Sequence, residues 1–362
     1  MSHKKKSNGN GEGPSQATEL PWDGAFLADW PGLVVHSEVM KRLVMRARHA
    51  ANLDLPVLIQ GESGTGKDVL ARIIHQASPR RGGPFVCVNC GAIPENLVEA
   101  ELFGHEKGAF TGAVTARQGY IAEAHQGTLF LDEVGELSPE TQVKLLRVIQ
   151  DGRVTAVGSV RSREVDFRVI SATNRDLLHE VSAGRFRNDL FHRLAVAVFT
   201  LPPLRERQAD LDRLITLFLE DINREMKQTP GFHKKRDISD NARKLLHQHS
   251  WPGNIRELRN TLLRAVLWSD GSVIKAKDVQ DALFPVLEDA SAGILGQNFG
   301  KDFRLTGVLS KVADHYFAKA MRESGGNKAQ ATRLLGLPNP TTFSNWIKKY
   351  PWKKEEKADE DD

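Results

Sequence analysis

The feature that most constrains this chain is a succession of three short segments. Pro56-Val-Leu-Ile-Gln60 is an apolar run, Gly61-Glu-Ser-Gly-Thr-Gly-Lys67 is a glycine-rich turn ending in lysine, and Asp68 to Gln76 resumes helical spacing. A buried strand that turns directly into a helix needs a crossover to return to the sheet, so its neighbours run parallel to it. Further apolar runs fit that plan: Phe85-Val-Cys-Val-Asn89, Thr128-Leu-Phe-Leu-Asp132, Phe167-Arg-Val-Ile-Ser171 and Ala197-Val-Phe-Thr-Leu201. Between and before them lie helical stretches. Ser37 caps one, with Val39, Met40, Leu43, Val44, Ala47 and Ala50 at helical spacing to Asn52. Ser138 caps another, running to about Gln150. Strands alternating with helices predict an α/β fold with a parallel sheet covered on both faces.

The turn matches the spacing of a phosphate-binding loop, Gly61-x-x-x-x-Gly66-Lys67. Gly61, Glu62, Ser63, Gly64, Thr65 and Gly66 would let backbone amides converge on phosphate at a helix N-terminus. Lys67 would reach the outer phosphates. Asp68 stands where a Ser or Thr ligand for magnesium is usual. Further on, Asp132 and Glu133 end an apolar strand. The Asp suits magnesium, and the Glu suits the orientation or deprotonation of a water attacking a γ-phosphate. Asn174, at another strand end, is placed to bond the same water. Cys87-Val-Asn-Cys90 has the C-x-x-C spacing but no second pair, so buried structural thiols are expected rather than zinc. His105 has no second His at metal-binding spacing.

Residues 1–28 are rich in Lys, Ser, Asn and Gly and read as a disordered basic tail. The α/β unit is placed at 29–204. After Pro202-Pro203, residues 205–285 read as a small all-helical unit, with helices over Ala209–Met226, Ser239–Gln248 and Ile255–Trp268 and a turn at Trp251-Pro-Gly-Asn254. Residues 286–304 form a linker, 305–352 three helices, and 353–362 a charged tail. Lys311, Lys319, Arg322, Lys328, Arg333, Lys348, Lys349, Lys353 and Lys354 face only Asp314 and Glu323 there, which suits a phosphate backbone. The helices at Lys328–Leu335 and Thr341–Tyr350 have helix-turn-helix spacing. Thr341, Thr342, Ser344, Asn345 and Lys348 are the candidate DNA-binding residues, and Leu334, Leu335, Phe343, Trp346 and Ile347 the candidate core. Pro338 and Pro340 stiffen the turn between the two helices. Net charge is only +4, so the whole chain's charge names no partner. The two cysteines fit a reducing compartment, no apolar run spans a bilayer, and no signal sequence opens the chain, so the cytoplasm is expected.

One stretch remains, Gly108-Ala-Phe-Thr-Gly-Ala113. Two glycines allow a tight turn, and Phe110 supplies an apolar tip, which makes a contact element rather than a core element. With Gly61-Glu-Ser-Gly-Thr-Gly-Lys67, Glu101-Leu-Phe-Gly-His-Glu106, Gly127-Thr-Leu-Phe-Leu-Asp-Glu133 and Trp251-Pro-Gly-Asn-Ile-Arg-Glu-Leu258, the chain resembles the AAA+ ATPase core of bacterial sigma-54-dependent transcription activators. The likeness runs from about residue 32 to 284, and the C-terminal segment resembles the same family's DNA-binding end. The resemblance implies ATP and Mg2+ as cofactors. Lys67 would be the phosphate lysine, Asp132 the magnesium-site acid and Glu133 the water-activating glutamate, with Asn89 switching that glutamate between poses. Thr173 and Asn174 would be the first sensor and Arg256 the second. Arg187 and Arg193 would reach a neighbouring subunit's γ-phosphate in a ring, usually a hexamer. Gly108, Ala109, Phe110, Thr111, Gly112 and Ala113 would contact sigma-54 on RNA polymerase, aided by a second insertion near Gly158–Glu164, while the C-terminal unit holds enhancer DNA. Asp68 departs modestly, since the family commonly has Glu there.

Two other readings compete. A DNA-binding AAA+ regulator acting without sigma-54 has no need of the 108–113 loop, and a chaperone-like remodeller has no need of the C-terminal helices. The residues before the ATPase are too few for a sensory domain, so no N-terminal regulatory domain is expected. The expectation is therefore control by a regulatory protein in trans, by expression level, or none.

Overall fold

A computed structural model describes residues 33–110, 112–227, 235–283 and 304–349. Thr111, Lys353 and Lys354, the basic tail at 1–28, nearly all of the 286–304 linker and the 353–362 tail therefore lie outside the described residues. The chain divides into two compact units, Met1–Phe284 and Pro285–Asp362.

In chain order the first unit opens with α1 (Glu38–Ala51), β1 (Val57–Gln60), α2 (Lys67–Gln76), β2 (Phe85–Asn89) and α3 (Glu95–Phe103). A short antiparallel pair follows, β3 (Gly104–His105) with β4 (Arg117–Gln118), then α4 (Tyr120–Glu123) and β5 (Thr128–Asp132). Next come α5 (Pro139–Asp151) and a second antiparallel pair, β6 (Arg153–Thr155) with β7 (Ser162–Glu164). The core ends with β8 (Arg168–Thr173), α6 (Leu177–Ser182), α7 (Asn188–Leu194) and β9 (Ala197–Thr200). The main sheet is wholly parallel in the order β2-β5-β8-β1-β9. That order brings the C-terminal ends of β1, β5 and β8 together, where α/β sheets present their ligands.

Local chemistry explains the elements. Ser37 caps α1 by accepting from the Met40 amide, and Met40, Leu43, Val44 and Ala47 are buried as the spacing predicts, but Val39 faces solvent. The other end of α1 is closed from the sheet. The buried Arg168 donates to the carbonyls of Ala50, Ala51 and Leu55 at 2.8, 2.8 and 3.1 Å, so a helix C-terminus takes the place of a carboxylate partner. Ser138 caps α5, which runs one residue beyond expectation to Asp151. β2 lies at the sheet edge, and this corrects the expectation for the thiols: Cys90 is buried, but Cys87 is exposed.

The lid comprises α8 (Gln208–Met226), β10 (Asp237–Ile238), α9 (Asp240–Gln248), α10 (Asn254–Trp268), β11 (Val273–Ile274) and α11 (Ala276–Ala282). It is not purely helical, because β10 and β11 pair in parallel. Two-residue strands are too short to leave a period in the sequence. Its core gathers Leu214, Ile222, Leu246, Leu258, Leu262 and the fully buried Trp251.

Among the described residues the second unit holds three helices, Leu305–Glu323, Lys328–Leu334 and Pro340–Lys349. They close on Ala313, Phe317, Ala320, Ala331 and Phe343, with the rings of Phe317 and Phe343 edge to face at 5.3 Å. Phe343 is fully buried, and Leu335 and Ile347 pack against it, but Leu334 and Trp346 are exposed. Each follows or precedes an inward residue by one position, a turn of about 100° around the helix.

Candidate functional site

The phosphate loop leaves β1 through three glycines at positive φ, Gly61 (156°), Gly64 (75°) and Gly66 (98°), where a side chain would be strained. Lys67 is buried at the start of α2, and its Nζ donates to the carbonyls of Gly61 and Glu62 at 2.9 and 3.1 Å. Burial pulls its ammonium below the ordinary lysine range, while Asp132 and Glu133 draw it back up. Thr65 is buried, with its hydroxyl donating to the Glu62 carbonyl, and Asp68 is exposed in the first turn of α2.

The sheet delivers the acids to the same end. Asn89 on β2 lies in register with Asp132 on β5. Asp132 Oδ1 accepts from the Glu133 amide at 3.0 Å. Glu133 holds φ at 55°, a left-handed conformation that few residues other than glycine adopt. Its Oε2 crowds the position a Cβ would take at Gly91, and Asn89 Oδ1 lies 3.5 Å from the same point. Asn89 Oδ1 is itself held by the amides of Gly91 and Ala92 at 2.9 and 3.1 Å. The glutamate and the asparagine therefore share one small space over Gly91. Thr173 at the end of β8 accepts the Gly61 amide on its carbonyl and the Arg175 amide on its hydroxyl, and Asn174 is exposed beside it.

Sequence reasoning missed how firmly the lid grips this loop. Arg205 donates to both oxygens of Glu62, at 2.9 and 2.6 Å. The buried Asn254 donates to Glu62 Oε2 and the Ser63 carbonyl, the Ile255 amide donates to the Gly64 carbonyl, and the buried Arg207 donates to the Thr65 carbonyl. Arg256, the expected second sensor, donates to Ser63 Oγ at 2.9 Å. Asn254 holds φ at 53°, so with Glu133 two of the four non-glycine residues at positive φ among those described lie at this site, and a third, Trp251 (53°), begins the turn that delivers Asn254. A single sequence shows Trp251–Asn254 only as a turn; nothing in it pairs Glu62 with Arg205. A cavity of about 300 Å³ opens beside the loop, lined by Leu33, Val34, Met40, Val44 and Phe218, with Arg207 and Arg259 at its wall. Its apolar walls and basic rim suit a flat base and its phosphates.

Arg187 and Arg193 lie elsewhere, exposed at the start and end of α7. Arg187 forks onto Asp189 at 3.1 and 2.7 Å, and Arg193 donates to the Ile149 carbonyl at 3.4 Å. Among the described residues neither hydrogen-bonds the phosphate loop of its own chain. A larger cavity, about 540 Å³, lies by Arg193 at the opposite ends of the strands and includes no phosphate-loop residue.

Gly108, Ala109, Phe110, Gly112 and Ala113 lie at the tip of the β3–β4 hairpin. Gly108 and Gly112 hold φ at 83° and 105°, and the Gly108 amide donates to the Ala113 carbonyl at 2.8 Å, closing the turn. Phe110 is 37% exposed, with its ring 5.1 Å from that of His105. The β6–β7 hairpin stands against it: Val157 exchanges backbone bonds with Gly104 and Glu106, and a Cβ on Gly158 would lie 2.9 Å from Ala109 Cβ. Val160 at its tip is fully exposed.

A parallel sheet in this order, a phosphate loop after its first strand, acids at a neighbouring strand end and a helical lid over the loop define an AAA+ P-loop ATPase. The chain belongs to the family of sigma-54-dependent transcriptional regulators. Residues 33–200 match the sigma-54 interaction domain and 205–292 the AAA+ ATPase lid domain. The transcriptional regulatory protein ZraR of Klebsiella oxytoca is 43% identical over 314 residues, 86% of this chain and 68% of ZraR. The Nif-specific regulatory protein of Azotobacter vinelandii is 48% identical over 305 residues, 84% of this chain and 56% of that protein. Among solved structures, NtrX from Brucella abortus in complex with ADP superposes with a TM-score of 0.64 at 32% identity, covering 89% of this chain and 70% of NtrX.

Proposed function

We propose that this chain hydrolyses ATP between neighbouring copies of itself in a ring, usually a hexamer, and spends the step on moving its paired hairpins against sigma-54. Lys67 and the loop amides bind the phosphates. Glu133 orients the attacking water, with Asn89 setting its pose and Thr173 and Asn174 sensing the outer phosphate. Arg187 and Arg193 face outward, which suits groups supplied to the next subunit, where an arginine in trans stabilises transition-state charge by roughly 10³–10⁵ in rate. Asp132 suits Mg2+: Oδ1 accepts from the Glu133 amide, and among the described residues no hydrogen bond reaches Oδ2. Among the described residues no cluster of three or more His, Cys, Asp or Glu is arranged to hold a metal, so phosphates and water would complete its ligands. The bound ion would neutralise charge on the phosphates.

The observation that carries the reading is continuity. Gly91, against which Glu133 and Asn89 rest, leads through Pro94 into α3, and α3 passes without a break into β3 of the hairpin. A carboxylate that moves with γ-phosphate therefore acts on a rigid element ending at Phe110. The C-terminal unit supplies DNA binding. Asn339 Oδ1 accepts from both the amide and the hydroxyl of Thr342, which starts the third helix and leaves Thr341, Asn345 and Lys348 exposed on it, with Ser344 half-buried.

The test is open-complex formation at a sigma-54 promoter with purified components. Wild type opens it with ATP, and Phe110→Ala turns over ATP but leaves it closed. Wild type that binds DNA and hydrolyses ATP yet never opens the promoter would return the reading to a regulator acting without sigma-54.

A further inference from the structure

An acid inside a phosphate loop carries an electrostatic cost. Glu62 follows the first glycine of a turn whose amides converge on anionic phosphate, where a carboxylate repels the ligand. The structure gives it another task. Its two oxygens take both Nη groups of Arg205 at 2.6 and 2.9 Å, and Oε2 also takes Asn254 Nδ2 at 3.1 Å. Arg205 stands in a short turn just after Pro202-Pro203, where the sheet passes into the lid, and Asn254 opens the lid helix α10. Asn254 is fully buried at φ 53°, and its Oδ1 accepts the Leu204 amide at 2.8 Å, one residue from Arg205. The clasp thus joins three segments far apart in sequence: the loop, the passage into the lid and the start of α10.

Its effect spreads along the loop. Glu62, Ser63, Gly64 and Thr65 are four consecutive residues, and each is bonded from the lid side, by Arg205, Asn254, the Ile255 amide and Arg207 in turn. Gly64 approaches Gly253 so closely that a Cβ on it would overlap the Gly253 carbonyl oxygen. A loop held this way cannot keep its phosphate-binding shape while the lid swings away.

We propose that Glu62 is a positioning residue: its clasp on Arg205 and Asn254 ties the shape of the phosphate loop to the position of the lid, and so sets nucleotide affinity. The inference rests on the ATPase reading above and adds a residue to it. Arg205 also neutralises the carboxylate, which offsets its repulsion of phosphate.

Two accounts of Glu62 predict opposite signs. As a positioning residue, Glu62→Gln loosens the loop and weakens nucleotide. As a bare charge near phosphate, its removal strengthens nucleotide. The measurements are Kd for a fluorescent ADP analogue and KM and kcat for ATP, on the full chain. The expected result is a rise in Kd and KM of about five- to tenfold with kcat within about twofold, for hydrogen bonds to a partly exposed charged group. Arg205→Met should match it, and the double variant should be no weaker than either single one, because one clasp is lost in all three. Glu38→Gln, which removes an exposed pair on α1, is the control and leaves both constants unchanged. Equal or tighter ADP binding by Glu62→Gln overturns the proposal, as does full additivity. If Glu62→Gln alone does not fold, the Glu62→Gln/Arg205→Met double variant decides, because it removes the charge together with the clasp: weaker ADP binding supports the proposal, and equal or tighter binding overturns it. Failure of wild type to hydrolyse ATP would count against the ATPase reading, while the ADP titration would still judge the clasp.

Discussion

Replacing Gly91 by alanine separates catalysis from folding at this site. A Cβ built there overlaps Glu133 Oε2, falling below the 3.0 Å that real Cβ contacts keep, and its next neighbours are Asn89 Oδ1 and Glu136 Cγ at 3.5 Å. The Glu133 carboxylate must retreat by roughly 1 Å to reach ordinary contact, and a displacement of that size at a reacting group costs on the order of 10²-fold in rate. The cost to folding is small. Gly91 is exposed, its φ lies outside the left-handed region, and the atom that must yield is the end of a flexible side chain. Stability should stay within about 0.5 kcal/mol of wild type. Nucleotide affinity should also hold, because Gly91 touches neither Lys67 nor the loop glycines. The assay pairs steady-state ATP hydrolysis with ADP binding and a thermal melt. The expected pattern is kcat down about ten- to a hundredfold with Kd and Tm unchanged. Unchanged kcat in folded protein would refute the placement of Glu133 as the group that orients water.

Three further outcomes follow from the packing. Arg168→Met removes three charge-assisted bonds and leaves the buried Ala51 carbonyl without its Arg168 donor, while the Ala50 carbonyl keeps the Leu53 amide, and should cost about 2–4 kcal/mol, read as a fall in Tm of roughly 5–15 °C. Arg185, donating to both oxygens of Glu180 at 2.6 and 2.7 Å, holds that carboxyl down at about 2, against an ordinary 4.5. A carboxyl depressed in the folded state contributes stability above its unfolded pKa and loses it as pH falls, so this contribution fades between about pH 4.5 and pH 2. Glu180→Gln should flatten the stability profile in that window and nowhere above it. Burial pushes the Cys90 thiol up to about 12, whereas Cys87 is exposed, so one equivalent of a thiol reagent should react with native protein at pH 8 and two with denatured protein, peptide mapping placing the first at Cys87.

Much of the core was legible because its signals are local. Each predicted strand of the main sheet appears within two residues of its expected ends, since a run of four to six apolar residues closed by a turn is a strong pattern. The loop, its lysine and the Asp132–Glu133 pair were legible for the same reason. What stayed hidden is long-range. Glu62 and Arg205 meet across 143 positions, and Glu62 and Asn254 across 192, through a lid whose angle no local pattern encodes. The hairpins stayed hidden in the opposite way: β3 and β4 are two residues each, held by a few backbone bonds and by Gly104, whose φ of 83° and contact with β4 exclude a side chain. The exposure of Cys87 follows from β2 lying at the sheet edge, which strand order decides and a single strand's sequence does not.

The two hairpins act as one body, and the reason lies in how little else holds them. β3–β4 has a two-residue ladder and β6–β7 a three-residue one, too short to be stable alone. Their mutual bonds, Val157 to Gly104 and Glu106 to Val157, add main-chain pairing that neither has by itself. Gly158 then lets Ala109 close to van der Waals contact, so a residue with a side chain at 158 would force the bodies apart. In the proposed mechanism, a push arriving along α3 at Phe103 would therefore reach Phe110 and the exposed tip at Val160 together. Displacement of one tip without the other would require breaking both backbone bonds, at about 1 kcal/mol each. Under the proposed mechanism, that coupling favours concerted movement of both tips as the response to a change at Glu133.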